Sequence, residues 1–386
     1  YGPERLLQDN DLMWNSTGLG TLGRMAIYKT TANPYELAVA DSHVTVIRPL
    51  KQFVLPEYLY YYFANPSVQS VIEDQADGTT KQKELATATI KAYLTPIPPL
   101  DEQRRILAKL SEVLPVVKNY GVVYDETTAM QEAFPESLKK SILQEAVQGK
   151  LVPQDPSDEP AEALLERIRA EKRRLIKEGK IKKDKHESVI FRRDNSHYEK
   201  LDGVERCIDD ELPFEIPESW AWVRWGAIAE SIQYGYNAPA KQEGRIRMVR
   251  ISDIHENTVA WSSVPFCDID DSDIPTYLLQ ANDILFARTG GTVGKSFLVS
   301  EAPCESIYAG YLIRTRYSSL LCPQYLKYFM ESPLYWQQLK SGTTATAQPN
   351  CNGQTLAKML LPLPPANEQL RIVDNLARTF AIIERM

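Results

Sequence analysis

The chain has 386 residues, of which 43% are hydrophobic and 25% charged. This composition is typical of a globular protein of two or three domains, and no run of about 18 apolar residues predicts a membrane span. The formal net charge of −7 argues against a chain that is basic throughout, although phosphate binding depends on local charge. The five cysteines are scattered without metal-ligand spacing. Neither zinc nor a disulfide framework is therefore predicted, and a reducing cytoplasm is the expected location.

Four blocks of sequence occur twice in the same order. The pairs are DLMWNSTGLGTLGR (11–24) with DILFARTGGTVGK (283–295), PEYLYYYFANP (56–66) with PQYLKYFMESP (323–333), GTT (78–80) with GTT (342–344), and PIPPLDEQRRI (96–106) with PLPPANEQLRI (362–372). A period this long excludes a solenoid and indicates a tandem duplication of whole domains. The second copy begins near residue 219, whereas only ten residues precede the first glycine-rich stretch. We therefore expect the first domain to be incomplete at its N-terminal side and the second helical part to be truncated.

The first glycine-rich stretch leads into the strand-like run AIYK (26–29). Glycine lets a backbone approach another surface closely, so the hydroxyl and basic side chains beside it can reach phosphates or base edges. We expect DNA contacts in this copy from Ser16, Thr17 and Arg24, and from Thr79, Thr80, Lys81 and Lys83 of the polar run GTTKQKEL.

A helix is predicted after each Pro-rich block, with apolar residues in the 3-4-3 spacing of a heptad seam. The seam residues are Leu107, Leu110, Leu114 and Val117 in the first helix, and Val373, Leu376, Phe380 and Ile383 in the second. Because the seam recurs in both copies, the two helices are expected to pack on each other. The alternative is that each helix packs on its own domain. Pro115 and Gly121 are expected to kink the first helix.

Two more helices are predicted over 134–152 and 160–179, each with a glycine at or near its end. Residues 166–193, which include the end of the second of these helices, hold 12 Lys/Arg against 5 Asp/Glu, and the run that follows residue 179 is basic. It predicts a mobile linker or a small hairpin, whose charge is either a solvated face or a contact with the DNA backbone.

The second glycine-rich stretch, ARTGGTVGKSF (287–297), is similar to a phosphate-binding loop. Such a loop requires GxxxxGK[ST] between a strand and a helix. Here Thr289 replaces the first glycine, and the flanking runs DILFAR and FLVS both predict strands. ATP binding is therefore the remote alternative. A glycine turn between strands predicts DNA contacts from Arg288, Thr289 and Lys295, against the alternative of a plain hairpin with an incidental lysine.

The polar run GTTATAQPNCNGQ (342–354) carries amide side chains of the kind that read adenine edges bidentately. We expect DNA contacts there from Thr343, Thr344, Gln348, Asn350 and Asn352, against the alternative of a solvated loop. The sequence contains no recognisable catalytic motif, methyl-donor fingerprint or metal site, so no catalytic residue or metal ligand is predicted.

The repeated blocks, together with SILQEAVQGKLVPQDPSDEPAEALLERIRAEK (141–172), resemble the specificity (S) subunit of type I restriction-modification systems over essentially the whole chain. The resemblance implies an α+β fold with two pseudo-symmetric mixed α/β target recognition domains, separated by long conserved helices that form an antiparallel coiled coil. The implied boundaries are 1–99 for the first recognition domain, 100–180 for the central helical region, 181–217 for a linker, 218–365 for the second recognition domain and 366–386 for a truncated C-terminal helix.

The resemblance also implies a function. The chain would be a non-catalytic subunit in which each domain reads one half of a bipartite, asymmetric site in double-stranded DNA. It would dock two methyltransferase (M) subunits and restriction/translocase (R) subunits. Those partners would bind S-adenosylmethionine, ATP and Mg, and this chain would hold no cofactor. The recognition subunit of a type IIB or IIG enzyme is an alternative with the same chemistry in this chain.

Overall fold

The computed structural model describes residues 2–18, 20–79, 82–183, 186–255, 257–342 and 351–385. They form two compact units, Tyr1–Ala129 (unit 1) and Met130–Met386 (unit 2). Both units mix helices with sheets, which confirms the predicted α+β class.

Unit 1 combines a three-stranded antiparallel sheet, a hairpin, three short helices and the beginning of a long helix. Its elements are β1 (Leu12–Asn15), β2 (Met25–Ile27), β3 (Val44–Ile47), α1 (Pro56–Ala64), α2 (Pro66–Ile72), β4 (Asp77–Thr79), β5 (Gln82–Glu84), α3 (Thr87–Lys91) and α4 (Leu100–Val147). The sheet order is β2-β1-β3, and β4 pairs with β5. Successive side chains of a strand point to opposite faces. Leu12 and Trp14 therefore enter the core together, where the Trp14 ring lies 4.9 Å from that of Phe63.

Unit 2 contains the rest of α4 and a larger set of sheets. Its further elements are α5 (Ala161–Lys177), β6 (Ser188–Arg193), β7 (Ser196–Leu201), β8 (Val204–Cys207), β9 (Ala221–Arg224), α6 (Trp225–Ile228), β10 (Ala229–Tyr234), β11 (Ile246–Val249), β12 (Ile254–His255), β13 (Thr258–Val259), β14 (Phe266–Cys267), α7 (Ile274–Tyr277), β15 (Ile284–Ala287), β16 (Ser296–Leu298), β17 (Ser306–Tyr308), β18 (Leu312–Tyr317), α8 (Pro323–Phe329), α9 (Pro333–Gly342), α10 (Gly353–Lys358), β19 (Leu360–Leu363) and α11 (Ala366–Ile383). The main sheet is antiparallel with the order β10-β18-β15-β16. Smaller sheets have the orders β14-β11-β17, β6-β7-β8, β12-β13 and β19-β9.

The duplicated sequence blocks form the same motif in both units. In unit 1 the motif is β1, glycine turn, β2, β3, α1, α2 and α3, and in unit 2 it is β15, glycine turn, β16, β18, α8, α9 and α10. The first two helices of each copy begin with proline, which suits the first helical turn because its missing N–H would have no partner there. The tandem duplication is therefore visible in the fold as well as in the sequence.

An ion pair between a buried aspartate and a more exposed arginine fixes the first strand of the motif in each unit. The carboxylate of Asp11 accepts from Arg48 Nε at 2.9 Å and from Nη2 at 2.8 Å. The carboxylate of Asp283 accepts from Arg316 Nε at 2.7 Å and from Nη2 at 3.2 Å. Each carboxylate also accepts the backbone N–H of the residue three positions earlier. Charge-assisted bonds of this kind hold the strand in one register against its neighbour.

The glutamine of each Pro-rich block ties the following long helix to its own unit. Gln103 Oε1 accepts the N–H of Leu55 at 2.7 Å, just before α1. Gln369 Oε1 accepts the N–H of Cys322 at 2.9 Å, just before α8. The Nε2 of each glutamine donates to a proline carbonyl of its own block, at 2.8 and 3.0 Å. Both glutamines are fully buried, so the glutamine of the repeated Glu-Gln pair has a structural role in both units.

Helix α4 runs without interruption through Pro115 and Gly121, so the predicted kinked helix and the separate helix over 134–152 are one element. A proline in a helix interior costs about 3 kcal/mol. Cooperative hydrogen bonding in the flanking turns of this long helix offsets that cost. Helix α5 corresponds to the predicted helix over 160–179.

The segment 181–217, predicted to be a linker or small hairpin, contains the three-stranded sheet β6-β7-β8. Buried Glu199 attaches this sheet to β9, because its carboxylate accepts from Arg224 Nε at 3.0 Å, from Arg206 Nη2 at 2.6 Å and from Ser188 Oγ at 2.6 Å. Burial raises the pKa of Glu199, but the hydrogen bonds from Arg224, Ser188 and Arg206 outweigh it and lower the pKa to about 2.

Helix α11 lies antiparallel to the last turns of α4 within unit 2. Lys139 of α4 donates to Glu384 at 3.0 Å and its Nζ lies 5.6 Å from the centre of the Phe380 ring. Eight residues on, Val147 shares a core with Ile372, near the start of α11.

The predicted seam residues are packed against a core on α11 but partly exposed on α4. On α11, Leu376 and Ile383 are buried, and Val373 and Phe380 pack against the core. On α4, Leu107 packs on the core of unit 1 and Leu110 is half-buried, whereas Leu114 and Val117 are exposed. The antiparallel helix pair is therefore confirmed, but the seam of α11 faces residues near the end of α4. In an antiparallel pair the start of one helix lies beside the end of the other.

Candidate nucleic-acid interface

The glycine-rich stretch of unit 2 is a turn between two antiparallel strands. It leaves β15 at Ala287, passes through one 3-10 turn at Gly290–Thr292 and enters β16 at Ser296. The N–H of Ala287 donates to the Lys295 carbonyl at 2.9 Å. A phosphate-binding loop leads into a helix whose N-terminal amides hold the phosphates. A strand stands in that position here, so the nucleotide-binding alternative is wrong for this loop.

Gly294 seats this turn on helix α9. Its φ of +91° is strained for other residues. A Cβ at this position would lie 2.1 Å from Leu339 Cδ2 and 2.7 Å from Trp336 Cζ3. The Tyr335 hydroxyl donates to the Gly294 carbonyl at 2.7 Å. Glycine is therefore required at this position by the packing of the turn.

Gly23 seats the turn of unit 1 on α2 in the same way. Its φ is +85°, and a Cβ there would lie 2.7 Å from Gln69 Oε1 and 2.8 Å from Ile72 Cδ1. Gln69 Nε2 donates to the Gly23 carbonyl at 3.0 Å. Each turn thus packs its glycine against the second helix of its motif, although the contacting side chains differ.

The basic residue after each seated glycine points its charge to solvent. Arg24 and Lys295 are both exposed. Within the described ranges of the chain, neither side chain has a hydrogen-bond or ion-pair partner. Neither charge is paired within those ranges, and the contact of each with a phosphate stays a prediction.

Arg288 occupies the entrance of the unit 2 turn and is held by its neighbours. Its guanidinium carbon lies 4.7 Å from the centre of the Tyr234 ring. Nε is buried and has no hydrogen-bond partner among the residues that the structure describes. Thr289, which follows it, is half-buried and precedes the 3-10 turn. Arg288 thus combines a fixed orientation with unused donor capacity.

Ser16, the counterpart of Arg288 in unit 1, is buried rather than available to a ligand. Its Oγ donates to the His43 carbonyl at 2.9 Å, and its carbonyl accepts the N–H of Leu85 at 2.8 Å. This corrects its assignment as a DNA contact, because both its hydroxyl and its backbone are engaged within unit 1. Thr17 is half-buried and forms a single antiparallel bridge with Glu84.

The two GTT loops lie largely outside the described residues. This applies to the predicted contacts Thr80, Lys81, Thr343, Thr344, Gln348 and Asn350, and to the side chain of Thr79. Lys83 is described, and its Nζ donates to the Glu73 carbonyl at 3.1 Å and lies 3.3 Å from Glu73 Oε1. Its charge is therefore paired within unit 1, which argues against its assignment as a DNA contact.

Asn352 serves as the N-cap of helix α10. Its Oδ1 accepts the N–H of Thr355 at 2.9 Å, which satisfies one of the donors that a helix start leaves open. The bidentate adenine contact predicted for Asn352 requires the same oxygen, so that assignment is corrected. Asn352 also lines a groove of about 650 Å³ with Gln337, Gln354 and Lys358, which gives this side of unit 2 a polar concave surface.

Sequence reasoning missed three residues at this site. Tyr234 supports Arg288, and its hydroxyl accepts the N–H of Gly353 at 3.0 Å. Tyr311 is exposed, and its carbonyl accepts the N–H of Arg288 at 3.1 Å. Cys351 donates its N–H to the Arg288 carbonyl at 2.9 Å, and burial raises the pKa of its thiol to about 11. A thiol with that pKa stays neutral near pH 7 and is not a ready nucleophile.

The described ranges contain neither a metal site nor a membrane-spanning helix. No cluster of three His, Cys, Asp or Glu side chains in those ranges is arranged to hold a metal ion. None of the helices in them combines the length and apolar character needed to cross a bilayer.

Comparison with known proteins identifies the class to which this fold belongs. The family model of the type I restriction modification DNA specificity domain matches residues 1–116 and 217–385, so the chain belongs to this family. The two matched regions correspond to the two copies of the duplicated motif.

Individual members of the family resemble the chain over most of its length. The EcoAI specificity subunit of a type I restriction enzyme from Escherichia coli is 27% identical over 397 residues, covering 92% of this chain and 64% of the relative. The EcoEI specificity subunit, also from Escherichia coli, is 26% identical over 401 residues, covering 91% and 64%. The chain thus spans 64% of the length of each. A crystal structure of the HsdS subunit from Thermoanaerobacter tengcongensis is 18% identical, with a TM-score of 0.47, and the match covers 100% of this chain and 78% of that one.

Proposed function

We propose that this chain is the non-catalytic DNA-recognition subunit of a type I restriction-modification complex. The observation that carries the proposal is the double match to the specificity domain, once in each copy of the duplicated motif. Each unit would read one half of a bipartite site in double-stranded DNA. The exposed Arg24 and Lys295, each beside a seated glycine turn, would contact the phosphate backbone and set the position of the turn.

The difference between the two turns supports an asymmetric target. Unit 1 has buried Ser16 where unit 2 has Arg288 stacked on Tyr234. Two surfaces that share a backbone contact but present different side chains to the bases would select different half-sites.

The partners and cofactors belong to the same proposal. Two methyltransferase (M) subunits and the restriction/translocase (R) subunits would supply the chemistry, and they would bind S-adenosylmethionine, ATP and Mg. This chain would contribute recognition and a scaffold in the cytoplasm, without a cofactor of its own. The names of its relatives, specificity subunits of type I restriction enzymes, support this division of roles.

Binding of the assembled methyltransferase complex to its target duplex tests the proposal. The target is first identified by sequencing methylated adenines in a host that carries the complex. Lys295→Ala and Arg24→Ala should each weaken binding to all duplexes and lower the slope of log affinity against log salt by about one, because each removes one phosphate contact. Thermal stability should be unchanged, since surface substitutions usually alter it by less than about 0.5 kcal/mol.

Lys200→Ala, at an exposed lysine of β7, is the matched control and should leave the salt slope unchanged. Unaltered cognate binding by both Lys295→Ala and Arg288→Ala would contradict the site. Failure of the assembled complex to bind any methylated target sequence would contradict the proposed function itself.

A further inference from the structure

Unlike three other arginines of unit 2, Arg288 has no acidic partner among the residues that the structure describes. In unit 2, Arg316 donates to Asp283, Arg250 donates to Asp253 and Arg224 donates to Glu199. The Arg288 guanidinium makes no hydrogen bond within the described part of the chain, and its Nε is buried. Because Nε is enclosed, a ligand can reach this half-buried side chain only through its two terminal nitrogens, which have no acceptor among the described residues.

The surroundings of Arg288 fix the plane of its guanidinium. The backbone is held on both sides, by the Tyr311 carbonyl at 3.1 Å and by the Cys351 N–H at 2.9 Å. The side chain stacks on Tyr234, whose ring centre lies 4.7 Å away. Tyr234 is itself tied to the N-terminus of α10 through Gly353. Much of the entropy cost of ordering an arginine is therefore met before any ligand arrives.

The duplication distinguishes a backbone contact from a base contact. A contact with phosphate carries no sequence information, so both copies can retain it, as they do with Arg24 and Lys295. A contact with a base must differ if the half-sites differ. At the equivalent position unit 1 has Ser16, which is buried, and unit 2 has Arg288. The position that varies is therefore the one suited to reading bases.

We propose that Arg288 reads a guanine in the half-site bound by unit 2, donating two hydrogen bonds to O6 and N7, with Tyr234 as its positioning residue. A planar guanidinium fork matches these two acceptors, which lie in one plane on the major-groove edge. The same fork also fits a phosphate, but a phosphate contact would not account for the difference between the two copies at this position. The proposal rests on the proposed function and adds to it the identity of one base.

The test measures binding of the assembled complex to a duplex that contains the target sequence, as identified from methylated adenines. Each guanine of the target is replaced in turn by 7-deazaguanine, which removes the N7 acceptor. For the unsubstituted protein, one replacement should weaken binding about tenfold through loss of one bond of the bidentate pair. In Arg288→Met, which keeps much of the length of the side chain but has no donor, that same replacement should have no further effect, while the other guanines should respond as before.

Two variants of Tyr234 test whether stacking on its ring orients Arg288. Tyr234→Phe keeps the ring and should retain the response at that guanine. Tyr234→Leu removes the ring and should reduce the response at that guanine alone. Lys295→Ala should lower affinity equally for every duplex.

Two outcomes would overturn the assignment while leaving the proposed function standing. One is the same profile of guanine responses in the unsubstituted protein and in Arg288→Met. The other is a uniform loss of affinity for matched and mismatched duplexes in Arg288→Ala. Absence of any binding to the methylated target would count against the proposed function instead.

Discussion

Units 1 and 2 share the same hydrogen bonds and ion pairs to buried side chains, but they differ in the strand pairing at two edges of their sheets. In unit 2, β10 pairs with β18, and β9 pairs with β19. In unit 1, β3 pairs with β1 and with no other strand among the described residues, and 94–97, the equivalent of β19, is not a strand. Leu94 is 91% exposed, whereas its counterpart Leu360 is 4% exposed.

This difference shows which interactions define the motif. The ion pair at Asp11 or Asp283, the buried glutamine and the seated glycine turn are present in both units. They therefore do not depend on the additional strands. The edge strands add burial and backbone pairing in unit 2.

The largest difference should come from removing the two buried aspartates. Asp283→Ala leaves the Arg316 and Arg314 guanidiniums without their carboxylate, since Arg314 Nη1 lies 4.0 Å from Asp283. It should lower the free energy of unfolding of unit 2 by about 3–5 kcal/mol. Asp11→Ala leaves only Arg48 and should cost less. Hydrogen exchange in increasing denaturant, followed in peptides from each unit, measures both values. Equal losses in the two units would refute the asymmetry.

The sheet edges should produce the next largest contrast. Leu360→Ala removes a buried side chain from β19 and should cost about 2–5 kcal/mol. Leu94→Ala, at the equivalent position of unit 1, should change stability by less than about 0.5 kcal/mol because the side chain is exposed. The same exchange measurement applies, and a large cost at Leu94 would show that this edge is covered in solution.

Acidic pH should distinguish the units by a smaller amount. The pKa of Glu199 is about 2 in the folded state against 4.5 as its ordinary value. Its contribution is therefore complete above about pH 4.5 and disappears as pH falls towards 2. Between pH 6 and pH 3, Glu199 should account for a loss of about 2 kcal/mol in unit 2. Urea unfolding of the unsubstituted protein and of Glu199→Gln at both pH values measures this loss of stability, which should be absent from the variant.

Much of the duplicated motif could be predicted because its causes are local. The glycine turns lie between strand-like runs, and the repeat places equivalent residues in equivalent elements. The sheet in 181–217 was missed although Asp194-Asn195 and Asp202-Gly203 are typical of tight hairpin turns, and all four residues have positive φ. The basic run at the start of the segment, up to Arg193, obscured that pattern.

The side-chain pairings of the site could not be predicted from spacing. Tyr234 and Arg288 are 54 positions apart, and only the pairing of β10 and β15 on either side of β18 brings them together. Ser16 and Asn352 belong to residue types that bind DNA, but their polar atoms are used within the fold. A pattern in the sequence indicates which groups are polar, but it does not show which of them the fold leaves free.

The buried Gln103 has a mechanical consequence for unit 1. Its amide joins the first turn of α4 to the Leu55 N–H and to the carbonyls of Phe53 and Pro98 through three hydrogen bonds. Displacement of this turn of α4 against the rest of unit 1 would break all three bonds together, so the turn and the loop before α1 should move as one piece.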